Sequence, residues 1–273
     1  MTPAGLLQLA AALLLNAGFA WLTGSLLARR WLGGALTPLL DRTDIAAALA
    51  CLAGSLFALW AATAMMGDVG LGEALTMLPS MMVQTAYGQA GLAAMVAATA
   101  LLVMPHRAWR VRIVVLALFA LARASVSHAG EHGLASVAVG VEWLHLMLVG
   151  VWLGAVAVAA WVVRPAHASY LAALSTAATV ALAGIVVTGV FNVWQRIGAP
   201  EQMLSNPYGL ALTVKLVLVG AAVLLGAYNR FVGFPRAAQD QGARALIVLR
   251  IESLVLLAAL AAAAVLTSQP PPA

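Results

Sequence analysis

The amino-acid sequence predicts an all-α, polytopic integral membrane helical bundle of eight transmembrane helices with both termini on the outer side. Three observations carry that prediction. Mean hydropathy is +1.00 and only 8% of residues are charged, against roughly 25% in soluble domains. The apolar residues fall in runs of about twenty, the length that crosses a ~30 Å hydrocarbon layer at ~1.5 Å per residue. The basic residues stand singly or in pairs near the ends of those runs, so the net charge of +5 reads as a topology signal and not as a nucleic-acid footprint.

The elements follow in order. The first run, 5–28, has no basic residue before it and Arg29-Arg30 after it. That is the reverse of a cleavable signal peptide, so the run is expected to stay as a span with its N-terminus outside. The second span is 44–66. Next comes "LGEALTMLPSMMVQTA" (71–86), with Pro79 inside and apolar residues at helical spacing. It reads as an amphipathic interfacial segment, or as a broken half-helix leading into the third span. The remaining spans are 86–104, 111–128, 135–163, 170–196, 209–231 and 245–267. No soluble domain or long linker interrupts them, and 1–273 reads as a single integral membrane domain. The lone cysteine, Cys51, excludes an internal disulfide and the multi-cysteine zinc and iron–sulfur motifs. It is expected to pack as a small apolar residue.

Orientation comes from the loops. With 29–43, 105–110, 164–169 and 232–244 on the inner side, that side and its helix ends hold eleven of the fourteen basic residues. These are Arg29, Arg30, Arg42, Arg107, Arg110, Arg112, Arg164, Arg230, Arg236, Arg244 and Arg250. The outer side keeps Arg123, Arg196 and Lys215, with the acids Asp68, Glu73, Glu131, Glu142 and Glu201. A positive-inside bias of this size turns both termini outward.

Chemistry concentrates in "HAGEHGLASVAVGVEWLH", 128–145, which holds three of the five histidines. His128 ends the fourth span, and Glu131 and His132 fall in the short outer loop. Glu142 and His145 come two to three turns into the fifth span, about 10–15 Å below the outer surface, with Trp143 between them. One turn apart, Glu142 and His145 share a helix face. In a bilayer each costs about 2–3.5 kcal/mol unless paired or hydrated, so ionisable residues there are functional candidates. The bland alternative is hydrogen bonding to neighbouring helices. A di-iron bundle needs two Glu-x-x-His motifs and further glutamates, and this chain has one. Histidine alone does not select a metal, but thioether sulfur favours Cu(I). Met65, Met66, Met77, Met81 and Met82 lie on the outer side near the second span and the segment after it, and Met203 in an outer loop. Met77 and Met81 are four apart, on one face if that segment is helical. Each methionine taken singly is also an ordinary filler of apolar helices.

Arg123, at a depth comparable with Glu142, is a candidate partner for it. Lys215, Arg250 and Glu252 are the other intramembrane charges, and with Arg123 they read as structural pairs or snorkelling side chains. His106 and His167 flank arginines on the inner side and read as interface groups.

The assembled pieces resemble the CopD family of bacterial inner-membrane copper-resistance proteins, related to PcoD. They are "SHAGEHG" after the fourth span, "VEWLHLMLVGVWLGAVA" in the fifth, "NPYGLALTVKLVLVGAAVLLGAYNRF" in the seventh and "LRIESLVLLAALAAAAVLTSQPP" in the eighth. Together they cover 119–270. The first hundred residues match only in hydropathy and in "YGQAG". The resemblance implies an eight-span protein of the cytoplasmic membrane, with periplasmic termini, that handles copper as Cu(I) or Cu(II). It also implies a separate periplasmic CopC-type copper-binding partner. In that reading His128, His132, Met77, Met81 and Met82 capture the ion and Glu142 with His145 take it into the bundle. Arg123, Glu131, Trp143 and Lys215 would be supporting polar groups. Without a nucleotide-binding loop or a phosphorylation-aspartate motif, transport would not be driven directly by ATP, and no enzyme activity is expected. The alternative is a b-type haem electron-transfer protein with His145 and His128 as axial ligands. A membrane scaffold without ligand is the third reading.

Overall fold

A computed structural model of the chain describes residues 2–33, 37–127, 129–130, 133, 135–163, 168–196, 206–237 and 242–267. Among them the secondary structure is helical throughout. The helices are α1 (Pro3–Leu32), α2 (Thr37–Gly67), α3 (Leu71–Gln84), α4 (Ala86–Val103) and α5 (Trp109–Ala124). They continue as α6 (Val137–Val158), α7 (Ala168–Arg196), α8 (Pro207–Tyr228) and α9 (Ala243–Thr267). Two π-helical turns, Ala159–Val163 and Asn229–Gly233, extend α6 and α8. Among the described residues, seven helices are long and apolar enough to cross a membrane. The expected fourth span, 111–128, is helical over α5 instead, and its 16 residues reach about 24 Å. It stops at Ala124, where Ser125 and Ser127 cap their own turns on Ala122 O and Ala124 O.

The chain packs as two units. The first comprises Met1–Phe19 and Ile45–Met147. Small residues let backbones approach in it, as membrane helices require when no water drives them together. A Cβ on Gly18 would stand 2.7 Å from Ala47 O and from Cys51 Sγ, and one on Gly54 2.8 Å from Leu15 Cγ. Phe19 stacks on Phe119 with centroids 5.8 Å apart. Cys51 is buried, as its expected apolar role requires. The segment before the third span is a helix of its own, as either expected reading of it requires. α3 runs through Pro79, the chain goes extended at Thr85, and the Thr85 hydroxyl accepts from Gly88 N at 2.9 Å to start α4. Gly88 is needed there because a Cβ would run into Met81 O. At the far end of α4, Arg112 donates to Leu101 O at 3.0 Å and Met104 O at 2.8 Å. A guanidinium placed there answers carbonyls that the helix leaves unpaired.

The second unit comprises Ala20–Asp44 and Leu148–Ala273. Gly24 and Gly154 bring α1 and α6 into backbone contact, where neither has room for a Cβ. Arg29, at the end of α1, donates to Asp41 at 2.8 Å and to Asp44 at 3.1 Å, and Ser25 donates to Asp44 at 2.8 Å. The arginine pair that reads as a topology signal thus also ties the first hairpin. Trp31 meets Tyr170 edge-on at 5.6 Å. α8 and α9 pack along their lengths, antiparallel, with Gly226 opposite Glu252 and Gly233 opposite Ala245.

Candidate functional site

In the first unit the organising residue is Arg123, in the last turn of α5. Its Nη1 donates to Asn16 Oδ1 on α1 at 2.8 Å. It also interacts electrostatically with Cys51 on α2, Tyr87 on α4 and Glu142 on α6. Glu142, the expected partner of Arg123, contributes to the electrostatic environment of the guanidinium, whose hydrogen bond goes to Asn16. Glu142, Trp143 and His145 are all half-buried on α6, and the α-helical course of 137–158 puts Glu142 and His145 one turn apart, as their spacing predicts. Trp143 has a positioning role: its Nε1 donates to Ala117 O on α5 at 2.9 Å, and its ring packs against Ala124, Ala129, Ala138 and Val139.

The methionines divide. Met81 is buried and Met77 is exposed, one turn apart on α3. The Thr85 hydroxyl donates to Met81 O at 2.8 Å and stands 3.4 Å from Met81 Sδ. The Met77 thioether lies over Gly67, at the end of α2, and Met82 is half-buried. Met65 and Met66 are exposed. Tyr87 lies two residues after the Thr85 corner, in the first turn of α4. His128, Glu131 and His132 lie outside the described residues, as do His167 and Met203. Among the described residues no group of three or more His, Cys, Asp or Glu is assembled to hold a metal ion.

The second unit holds a site that sequence reasoning treated as structural pairing. A cavity of about 280 Å³ lies between α6, α7, α8 and α9. Its polar lining is Ser175, Thr179, Asn229, Arg230 and Glu252, with Trp152 beside them. Arg250 and Glu252, adjacent in "LRIES", go to separate partners. Arg250 Nε donates to Ala160 O at 3.5 Å, and its guanidinium lies 5.3 Å from the Trp161 ring centroid. Glu252 is 2% exposed and accepts from Trp152 Nε1 at 3.3 Å. Trp161 Nε1 donates to Ser253 at 3.0 Å. Both π-helical turns pack on α9 around this polar band. The carbonyl that takes Arg250, Ala160 O, lies in the first of these turns. Lys215 is half-buried in α8.

A family model, CopD, copper resistance protein D, matches residues 168–266. That stretch spans α7 to α9 and contains Ser175, Thr179, Asn229, Arg230 and Glu252. No curated protein and no solved structure matches the chain.

Proposed function

We propose, from the match of residues 168–266 to the CopD family of copper resistance proteins, that the chain takes up copper ions across the bacterial cytoplasmic membrane. The family match is the observation that carries this reading, on a chain whose seven long apolar helices make it a multi-pass membrane protein. In the proposal the chain crosses eight times, with the short α5 as the fourth crossing. Both termini face the periplasm, where a separate CopC-type protein delivers the ion. Copper is the cargo, and its path starts in the first unit. Soft thioethers of Met77, Met81 and Met82 and the imidazoles of His128 and His132 receive it, and Glu142 with His145 pass it inward. Arg123 supports the path by opposing the charge of Glu142, so that the carboxylate need not hold a cation permanently. Net direction follows the copper gradient, the membrane potential or trapping by a partner. The haem alternative gains nothing from the family match.

Copper content of purified protein tests the path. His145→Ala should fold as the wild type does, because a half-buried ligand is removed from a polar group and not from the apolar packing. It should nevertheless lose at least one equivalent of tightly bound copper, and Glu142→Gln should keep part of it. Wild-type copper content in His145→Ala would sink the assignment. A reporter fused to the C-terminus checks the orientation separately. It should be active in the periplasm, and activity in the cytoplasm would invert the placement of every ligand.

A further inference from the structure

The cavity of the second unit is short of hydrogen-bond donors. Glu252 has the indole of Trp152 on Oε1 at 3.3 Å. Asn229, 1% exposed in the first position of the π-helical turn, spends Nδ2 on Ala245 O at 3.4 Å. That bond fixes the amide's orientation and leaves Oδ1 buried without a partner. A buried oxygen left so costs about 1–3 kcal/mol. The lining is mostly apolar, but Ser175, Thr179, Asn229, Arg230 and Glu252 give it a polar strip, where internal water can supply the missing donors, and 280 Å³ holds several molecules. Gly226 keeps the space beside the carboxylate open, since its missing Cβ would stand 3.1 Å from Glu252 Oε1. At the other end Arg230 and Phe231 are exposed, so the cavity runs from the surface to a buried carboxyl.

We propose that this cavity is a water-filled vestibule and that Glu252, at its buried end, binds and releases a proton. The step moves no electrons. A vestibule water carrying an extra proton transfers it to the Glu252 oxygen not held by Trp152 and is left as neutral water. The reverse transfer regenerates the carboxylate. The groups facing Glu252 suit a site that changes charge. α6 presents Trp152 and Val156, and α7 presents Ser175 and Thr179. α8 presents Arg230, the other ionisable group among the described lining residues. Its Nη1 is held by Ser175 O at 3.3 Å, Ser175 Oγ at 3.0 Å and Thr179 Oγ1 at 2.7 Å. On its own helix, Arg250 turns away to Ala160 O and Trp161. Oxygen donors alone suit a proton and are a poor match for Cu(I), so this site is distinct from the proposed metal path and does not rest on it.

pH-difference infrared spectroscopy of the full-length chain in lipid nanodiscs, with no copper present, tests the assignment. In the wild type a carboxylic-acid carbonyl band should rise and fall reversibly with pH. Glu252→Gln should remove that band and Glu142→Gln should leave it. Trp152→Phe keeps the carboxyl and takes away its indole donor, so it should shift the band's frequency. A wild type without such a band, a band that survives Glu252→Gln, or a band unmoved by Trp152→Phe overturns the proposal. Because the sample holds no copper, a failure here leaves the copper reading untouched, and loss of copper binding elsewhere leaves this one untouched.

Discussion

In the first unit Arg123 donates to Asn16 at 2.8 Å and interacts with Cys51, Tyr87 and Glu142, whereas in the second Glu252 faces a cavity of about 280 Å³ with an indole N–H on one oxygen. Both are polar groups in helices of similar apolarity, yet one set of charges is enclosed by partners and the other by space. An enclosed group stabilises through its partners and suffers when one is deleted. A group beside a cavity loses little on small changes around it and responds most to changes in what fills the cavity. Copper capture, which needs ligands held at fixed positions, fits the first arrangement, and exchange with water fits the second.

Deleting the hub of the enclosed group gives the largest expected effect. Arg123→Ala takes a charged hydrogen bond from Asn16 and removes the positive charge near Glu142. Hydrogen bonds to charged groups contribute about 1.5–3 kcal/mol, and Arg123 is half-buried, so a loss of about 2 kcal/mol is expected. Thermal unfolding in detergent should show the drop, with Arg123→Lys between the variant and the wild type. An unchanged unfolding temperature would mean that the guanidinium is solvated and that the comparison between the two units fails.

The first unit was the more legible in the sequence, for a physical reason. Its chemistry sits in one dense stretch, and a Glu and a His three residues apart on a helix must share a face. The span limits were legible too, because hydrocarbon thickness sets run length: 44–66 became Thr37–Gly67 and 245–267 became Ala243–Thr267. A separate helical segment around Pro79 was readable before the third span, but the corner at Thr85 was not. Nor was Asn16, since nothing local says that α1 meets α5 at Arg123. The Glu252 cavity escaped for the same reason. Trp152, Ser175, Asn229 and Glu252 come from four helices, and of these only Glu252 stood out in the sequence, as an intramembrane charge without a named partner outside its own helix. The π-helical turns at 159–163 and 229–233 have no sequence signal of their own here. A polar residue at the end of a long apolar run, such as Asn229 before Arg230, was the nearest hint.

A pair of alanine substitutions sharpens the contrast at smaller energies. Replacing glycine by alanine inside a helix gains about 1 kcal/mol of propensity wherever the space allows it. At Gly91, in the first unit, the new Cβ would stand 2.6 Å from Leu59 Cδ2 and 2.7 Å from its Cγ, and Leu59 is 1% exposed. Overpacking of that kind costs about 1–3 kcal/mol, so Gly91→Ala should be net destabilising by about 1 kcal/mol. At Gly226 the contact is 3.1 Å to a carboxylate that has a cavity to move into. Gly226→Ala should therefore unfold at or slightly above the wild-type temperature. The reverse order of the two variants would show that the cavity is packed as tightly as the first unit.

The smallest stability effect is expected where the copper reading asks for the most specific chemistry. Exchanging leucine for methionine nearly conserves volume and costs less than about 1.5 kcal/mol in a packed site. Met77 is exposed, and Met81, though buried, keeps its backbone bond to the Thr85 hydroxyl at 2.8 Å whatever its side chain. Only the 3.4 Å approach of that hydroxyl to the sulfur is lost. The double variant Met77→Leu/Met81→Leu should therefore unfold within about 1 kcal/mol of the wild type, with the α3–α4 corner intact. A thioether that only fills space would be replaced at no further cost. A thioether that receives copper would not, because leucine offers no lone pair. Soft sulfur favours Cu(I) over Cu(II), so copper retained by the double variant should fall under reducing conditions and change little under oxidising ones. Equal retention in both states, with unfolding unchanged, would return these methionines to packing and leave the imidazoles as the only capture ligands to test.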